Sequence, residues 1–117
     1  MSLYRWSDIP SEEINQLLSR KMIIGKNEML ALFFLKKGCI IPVHRHHNEQ
    51  FSFVLKGTLL FRNGDDRSTT VCADEVIHIP PNIEHGVKAL EDSVSLDIFS
   101  PIREDWLKGD ESYLRKK

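Results

Sequence analysis

Apolar residues in this chain fall in short blocks, many alternating with polar neighbours, and nearly every block stops at Gly, Pro, Asn or Asp. A period of two broken by turn residues is the pattern of β-strands, and many short strands in succession argue for an all-β sandwich or barrel. The blocks at 29–35, 40–46, 49–55, 58–62, 68–72, 76–79, 86–90 and 94–99 are the predicted strands. Asn63-Gly64-Asp65-Asp66 is the strongest hairpin signal, because Asn-Gly readily supplies the positive φ a tight turn needs. Helical signals are confined to the ends. Ser11, Glu12 and Glu13 after Pro10 predict one or two turns carrying Ile14, Leu17 and Leu18, and 103–107 predicts a short turn after Pro101. The N-terminal stretch with Tyr4, Trp6 and Ile9 is expected to add an edge strand to a neighbouring copy, giving a homodimer.

The alternation also sorts chemistry by face. If the chain stays extended from Val43 to Leu55, His44, His46, Gln50, Ser52 and Val54 share one face while Arg45, Phe51, Phe53 and Leu55 take the other. Two imidazoles and an amide side by side make half a metal site for a divalent transition metal such as Zn, Ni, Fe, Mn or Cu. His85 is the expected fourth ligand, since Pro80-Pro81-Asn82 reads as a turn that returns the next strand beside the preceding one. Glu49 would point away from the site. His47 lies on the opposite face, and His78 lacks partner spacing, so both are expected to be structural or solvent-facing.

Composition narrows the classes. The 16 Lys and Arg nearly cancel the 17 Asp and Glu, which leaves no electrostatic footprint for nucleic acid or an acidic membrane. Arg115-Lys116-Lys117 is the one basic run and reads as a solvated tail. No apolar run approaches the roughly 18 to 20 residues that span a bilayer, and no signal-peptide core opens the chain, so a cytoplasmic protein is expected. Cys39 and Cys72 lack Cys-x-x-Cys spacing and read as small buried apolar residues, with a thiol ligand as the lesser alternative. The length of 117 residues suits a single domain, 1–117.

Together these pieces resemble the cupin superfamily of small jelly-roll β-barrels. Gly38, five residues, His44-Arg45-His46, three residues, Gln50, six residues and Gly57 fit the first cupin motif, with glutamine in its glutamate slot. Asp74, five residues, Pro80-Pro81-Asn82, two residues and His85 fit the second, with Asp74 and Asn82 in the glycine slots and Ala89 in the asparagine slot. The two motifs cover 38–89, the metal-site core that the resemblance implies. Asn82 tolerates the positive φ of the missing glycine better than most residues.

The segment 97–107, with Asp97, Phe99, Pro101, Arg103, Asp105, Trp106 and Leu107, is similar to the ending of small cupins that include the pectin-degradation proteins. Those convert unsaturated uronate sugars to linear keto forms, and the resemblance implies that Asp97, Phe99 and Arg103 line the pocket around the metal. The activity it implies is that of a metal-dependent isomerase or tautomerase of a sugar acid or keto acid. In it Arg103 anchors a carboxylate-bearing small molecule with Phe99 beside it, and Asp97 moves a proton. The plainer alternatives are Arg103 paired with Glu104 or Asp105, and Asp97 paired with Arg103 to hold the C-terminal segment. A non-catalytic sensing module and an iron-dependent dioxygenase are the competing functions. Phe51, Phe53, Phe61 and Trp106 read as core or interface aromatics.

Overall fold

The computed structural model describes residues 1–115. Ten strands follow a 3-10 turn at Trp6–Asp8: β1 (Glu12–Asn15), β2 (Leu18–Ile24), β3 (Met29–Leu35), β4 (Ile40–His44), β5 (Glu49–Lys56), β6 (Thr58–Asn63), β7 (Ser68–Cys72), β8 (Val76–Ile79), β9 (His85–Ala89) and β10 (Ser93–Ser100). Two helical turns close the described chain, α1 (Glu104–Leu107) and α2 (Ser112–Arg115). The strands form two antiparallel sheets, β1-β2-β3-β10-β5-β8 and β4-β9-β6-β7. This is the all-β jelly roll expected from the pattern, and the strand blocks are found within a residue or two.

Strand alternation decides what the interior holds. Met29, Ala31, Phe33 and Leu35 of β3 meet Val54, Leu59, Phe61 and Phe99 in one buried cluster, with Trp106 and Leu114 of the helical turns packed onto it. Gly38 and Gly57 sit at φ 89° and 86°, and at Gly57 a Cβ would stand 2.4 Å from the Asp92 carbonyl oxygen, so no larger residue fits. Asp74 and Asn82, which occupy glycine slots, hold the same left-handed conformation at φ 71° and 64°.

Several expectations are corrected. The segment expected as an N-terminal helix is the β1–β2 hairpin: Ile14 and Leu18 are buried, but Leu17 is exposed at the turn, where the Asn15 side-chain oxygen accepts the Leu17 N–H at 2.8 Å. Within this chain Trp6 lies in the 3-10 turn and Tyr4 and Ile9 belong to no strand. The hairpin at 63–66 exists, closed by Asn63 N–H to Arg67 carbonyl at 2.8 Å, but its positive φ falls on Asp66 rather than on Asn-Gly. Cys39 is buried, its thiol pushed up to about 11 by burial, whereas Cys72 is exposed; both are free. Arg115 is no solvated tail, since it pairs with Glu12 at 3.0 Å and Glu111 at 2.7 Å; Lys116 and Lys117 lie outside the described residues. Among the described residues no helix is long and apolar enough to cross a membrane.

The correction that matters most for chemistry lies between Val43 and Leu55. The chain does not stay extended there. β4 ends at His44 in one sheet and β5 begins at Glu49 in the other, so residues 45–48 carry the backbone across the mouth of the barrel. The Pro80-Pro81-Asn82 turn makes a second crossing: β8 pairs with β5, whereas β9 pairs with β4 and β6. The Asn82 N–H donates to the His46 carbonyl at 2.8 Å and ties the two crossings together.

Candidate metal centre

His44 and His85 face each other directly across the β4–β9 ladder, with ring centroids 4.4 Å apart. His46, on the first crossing, brings its ring within 5.6 Å of His44 and 4.9 Å of His85. One nitrogen from each imidazole lies within 4.8 Å of the others. The second sheet supplies the opposite wall, where the β5–β10 register sets Gln50 against Phe99 and Ser52 against Asp97. His44 and His85 therefore face Gln50 and Asp97 across the gap between the sheets.

Hydrogen bonds fix which nitrogen each histidine offers. Nδ1 of His44 donates to the Pro42 carbonyl at 2.8 Å, Nδ1 of His46 to Asn48 at 3.0 Å and Nδ1 of His85 to Ile83 at 2.8 Å. A carbonyl can only accept, so each Nδ1 carries the proton and each Nε2 presents a lone pair to the cup. Burial holds the His44 ring down at about 3 and the His46 ring at about 4, with the Arg103 charge adding to the effect on His46; burial also lowers His85. All three are neutral at physiological pH, the form that binds metal.

Gln50 completes the set. Its Nε2 donates to Ser52 Oγ at 2.8 Å and toward Asp97 Oδ2 at 3.4 Å, which turns Oε1 into the cup, 3.1 Å from His46 Nε2. Two acceptors thus face each other with no proton between them, and His85 Nε2 is buried without a hydrogen-bond partner among the described residues. Unpaired acceptors in a buried site are costly, and a cation at their focus would satisfy all of them. Three imidazole nitrogens and one amide oxygen fit a divalent transition metal, and no carboxylate among them offsets its charge. Glu49 points outward and pairs with His78 at 2.7 Å, and His47 is exposed on the crossing between the sheets.

Beside the ligands lies the acid. Asp97 accepts the Ser95 hydroxyl at 2.8 Å, and burial pushes its carboxyl up to about 6 against the lowering effect of Ser95, Ser52 and Arg103. It makes no hydrogen bond to Arg103. The Arg103 guanidinium, 1% exposed, donates instead to both Asp105 oxygens, from Nε at 3.0 Å and from Nη2 at 2.8 Å. Its carbon lies 4.3 Å from the Trp106 ring centre and 5.1 Å from that of Phe99, a cation–π arrangement. The two-point fork is thus occupied by Asp105, and Nη2 also donates to the Tyr113 hydroxyl at 2.8 Å.

A cavity of about 30 Å³ joins these groups, bounded by His44, Gln50, His85, Asp97 and Arg103. Of the larger surface grooves, one of about 210 Å³ along Leu17, Lys36, Lys56 and Asp92 holds none of the metal-ligating side chains and one of about 310 Å³ along Phe61, His78 and Pro80 reaches His85 alone, so the smaller cavity is where the chemistry converges.

All seven residues singled out from the sequence meet at this cavity or its ligand set. Others were missed. Asn48, 1% exposed, donates to the carbonyls of Pro101 at 2.7 Å and Ile102 at 3.1 Å, linking the His46 crossing to the Arg103 segment. Tyr113 stacks on His44 with centroids 4.4 Å apart, and its hydroxyl accepts from Arg103 Nη2 at 2.8 Å and Trp106 Nε1 at 3.0 Å. These contacts join segments distant in sequence, and no local pattern announces them.

A jelly roll with a three-histidine cup at the mouth defines a class of small metal-site barrels. The chain belongs to the cupin family, whose cupin domain matches residues 31–100. It is 30% identical over 103 residues to the pectin degradation protein KdgF of Dickeya dadantii, covering 86% of this chain and 93% of that protein. The structure of KdgF from a Halomonas species superposes with a TM-score of 0.83 at 22% identity, covering 90% of this chain and 99% of that one. An RmlC-like cupin from Shewanella frigidimarina matches with a TM-score of 0.83 at 26% identity, covering 91% and 96%.

Proposed function

We propose that this cupin is a metal-dependent isomerase or tautomerase acting on a sugar acid or keto acid such as an unsaturated uronate. The observation that carries the reading is the focus of three proton-free Nε2 atoms and the Gln50 amide oxygen beside a carboxyl held at about 6. The likeness to a pectin degradation protein points to uronates as the substrate class. His44, His46, Gln50 and His85 would hold one divalent metal, which when bound acts as a Lewis acid toward a hydroxyl or carbonyl oxygen. Arg103 meets the substrate carboxylate and Phe99 walls the ring. Asp97, near the pH at which a carboxyl both gives and takes protons, transfers the proton by which an enol becomes a ketone.

A sensing module without turnover and an iron-dependent dioxygenase would use the same cup, but neither assigns work to Asp97. We place the protein in the cytoplasm, a reading supported by the free Cys39 and Cys72, and read it as a homodimer.

The test combines metal content by elemental mass spectrometry with loss of an unsaturated uronate in wild type, His46→Ala and Asp97→Asn. About one divalent metal per chain is expected, lost in His46→Ala, with turnover abolished in Asp97→Asn while metal is retained. A wild type that takes up no metal on reconstitution, or an Asp97→Asn variant at full rate, overturns the reading.

A further inference from the structure

The cavity is too small for the substrate proposed. At about 30 Å³ it has room for an ion and one or two waters at roughly 10–15 Å³ each, whereas sites for small organic ligands run to about 300–1,000 Å³. What fills the remaining space is α2. Tyr113 and Leu114 line the cavity, with the Tyr113 ring on His44 and its hydroxyl against Arg103 and Trp106.

That hydroxyl oxygen receives two N–H donors, one from an indole and one from a guanidinium nitrogen that also donates to the Asp105 carboxylate. Two converging donors, one of them charged, are what a carboxylate oxygen seeks; a neutral phenol satisfies them less well. The segment bearing the phenol is fastened at its edges. Asn15 Nδ2 donates to the Leu114 carbonyl at 3.2 Å, and Arg115 bridges Glu111 and Glu12. Glu111, which precedes the phenol, is held in the interior by Arg20 at 2.7 Å, so the backbone of α2 is anchored and the Tyr113 side chain is the part free to turn.

We propose that Arg103 Nη2 and Trp106 Nε1 form the carboxylate subsite of the cup, that the Tyr113 hydroxyl occupies this subsite in the closed state, and that the Tyr113 side chain turns out when a substrate carboxylate replaces it. Tyr113 is then both cover and internal competitor. Its departure enlarges the cavity and releases the donors that hold the carboxylate. The inference rests on the proposed function only in taking a carboxylate as the ligand.

The test uses the full chain without metal, so it stands whether or not an unsaturated uronate is turned over. Carbethoxylation by diethyl pyrocarbonate, followed by peptide mass spectrometry, reads access to His85, while exposed His47 and His78 report reagent activity and an intact fold. Tyr113→Ala is expected to speed His85 modification by about tenfold or more with His47 and His78 unchanged. Tyr113→Phe keeps the ring on His44 but removes the competing oxygen, and is expected to bind D-galacturonate about fivefold more tightly than wild type in calorimetry, with Arg103→Ala abolishing the heat. Equal His85 rates in wild type and Tyr113→Ala overturn the cover. Equal or weaker galacturonate binding by Tyr113→Phe, or no binding by either protein, overturns the subsite.

Discussion

Arg103 keeps a full charge in a nearly dry place, and Asp105 makes that tolerable. Burial alone would raise the Asp105 carboxyl, but the hydrogen bonds and charge of Arg103 outweigh it and hold the group below the usual carboxylate range. A depressed folded-state value means that the pair stabilises the fold above the unfolded-state value and loses that contribution as pH falls through the lowered one. Asp105→Asn is therefore expected to flatten the acid limb of the stability profile. With Asp105 35% exposed, the cost at neutral pH is only about 1–2 kcal/mol, read from thermal melts between pH 3 and 7. At this scale the sequence was informative for His44, His46, Gln50 and His85 because ligand chemistry and motif spacing constrain them together. It was silent on Tyr113 and Asn48, whose roles depend on contacts 10 and 53 residues away.

Among the elements, strands were legible and their junctions were not. A seven-residue apolar block such as β3 has few alternatives, but Ile14, Leu17 and Leu18 fit a helical stripe as well as two arms of a hairpin, and tertiary pairing with β3 decided for the hairpin. The face assignment for His46 was right for an incomplete reason: the chain leaves one sheet at His44 and enters the other at Glu49, and His46 reaches the cup from the crossing. α2 went unseen because a four-residue helix has too little periodicity to register. It is anchored by a buried ion pair, in which Arg20 Nη1 and Nη2 meet the Glu111 carboxylate at 2.7 and 2.9 Å while Glu12 holds Nε at 2.9 Å. Glu111→Ala leaves the Arg20 guanidinium half-paired in the interior. A loss of about 3 kcal/mol in urea denaturation is expected, and a change within error would mean that α2 adds nothing to the fold.

For the whole molecule, the outer face of the six-stranded sheet is the feature that calls for a partner. Leu32, Leu96, Phe53 and Val76 stand in register across four strands, with Leu30, Ile98 and Phe51 in the next outward row. Four strands about 4.8 Å apart carrying two outward rows about 6.7 Å apart give an apolar footprint of roughly 250 Å², the centre of an interface whose rim must supply the rest of the roughly 800 Å² per partner of a stable one. Sedimentation velocity should show a dimer that Leu96→Glu converts to monomer; a monomeric wild type would leave the face without this occupant. The division of the cup between the sheets has a quieter consequence. His44 and His85 ride on one slab and Gln50 and Asp97 on the other, so the spacing between acid and ligands is a gauge of how tightly the slabs are stacked. A truncation deep in the filling, at Val54 or Leu59 and far from any reacting atom, would detune the chemistry by changing that thickness, and an evolving sequence could adjust its reaction there without touching a single ligand.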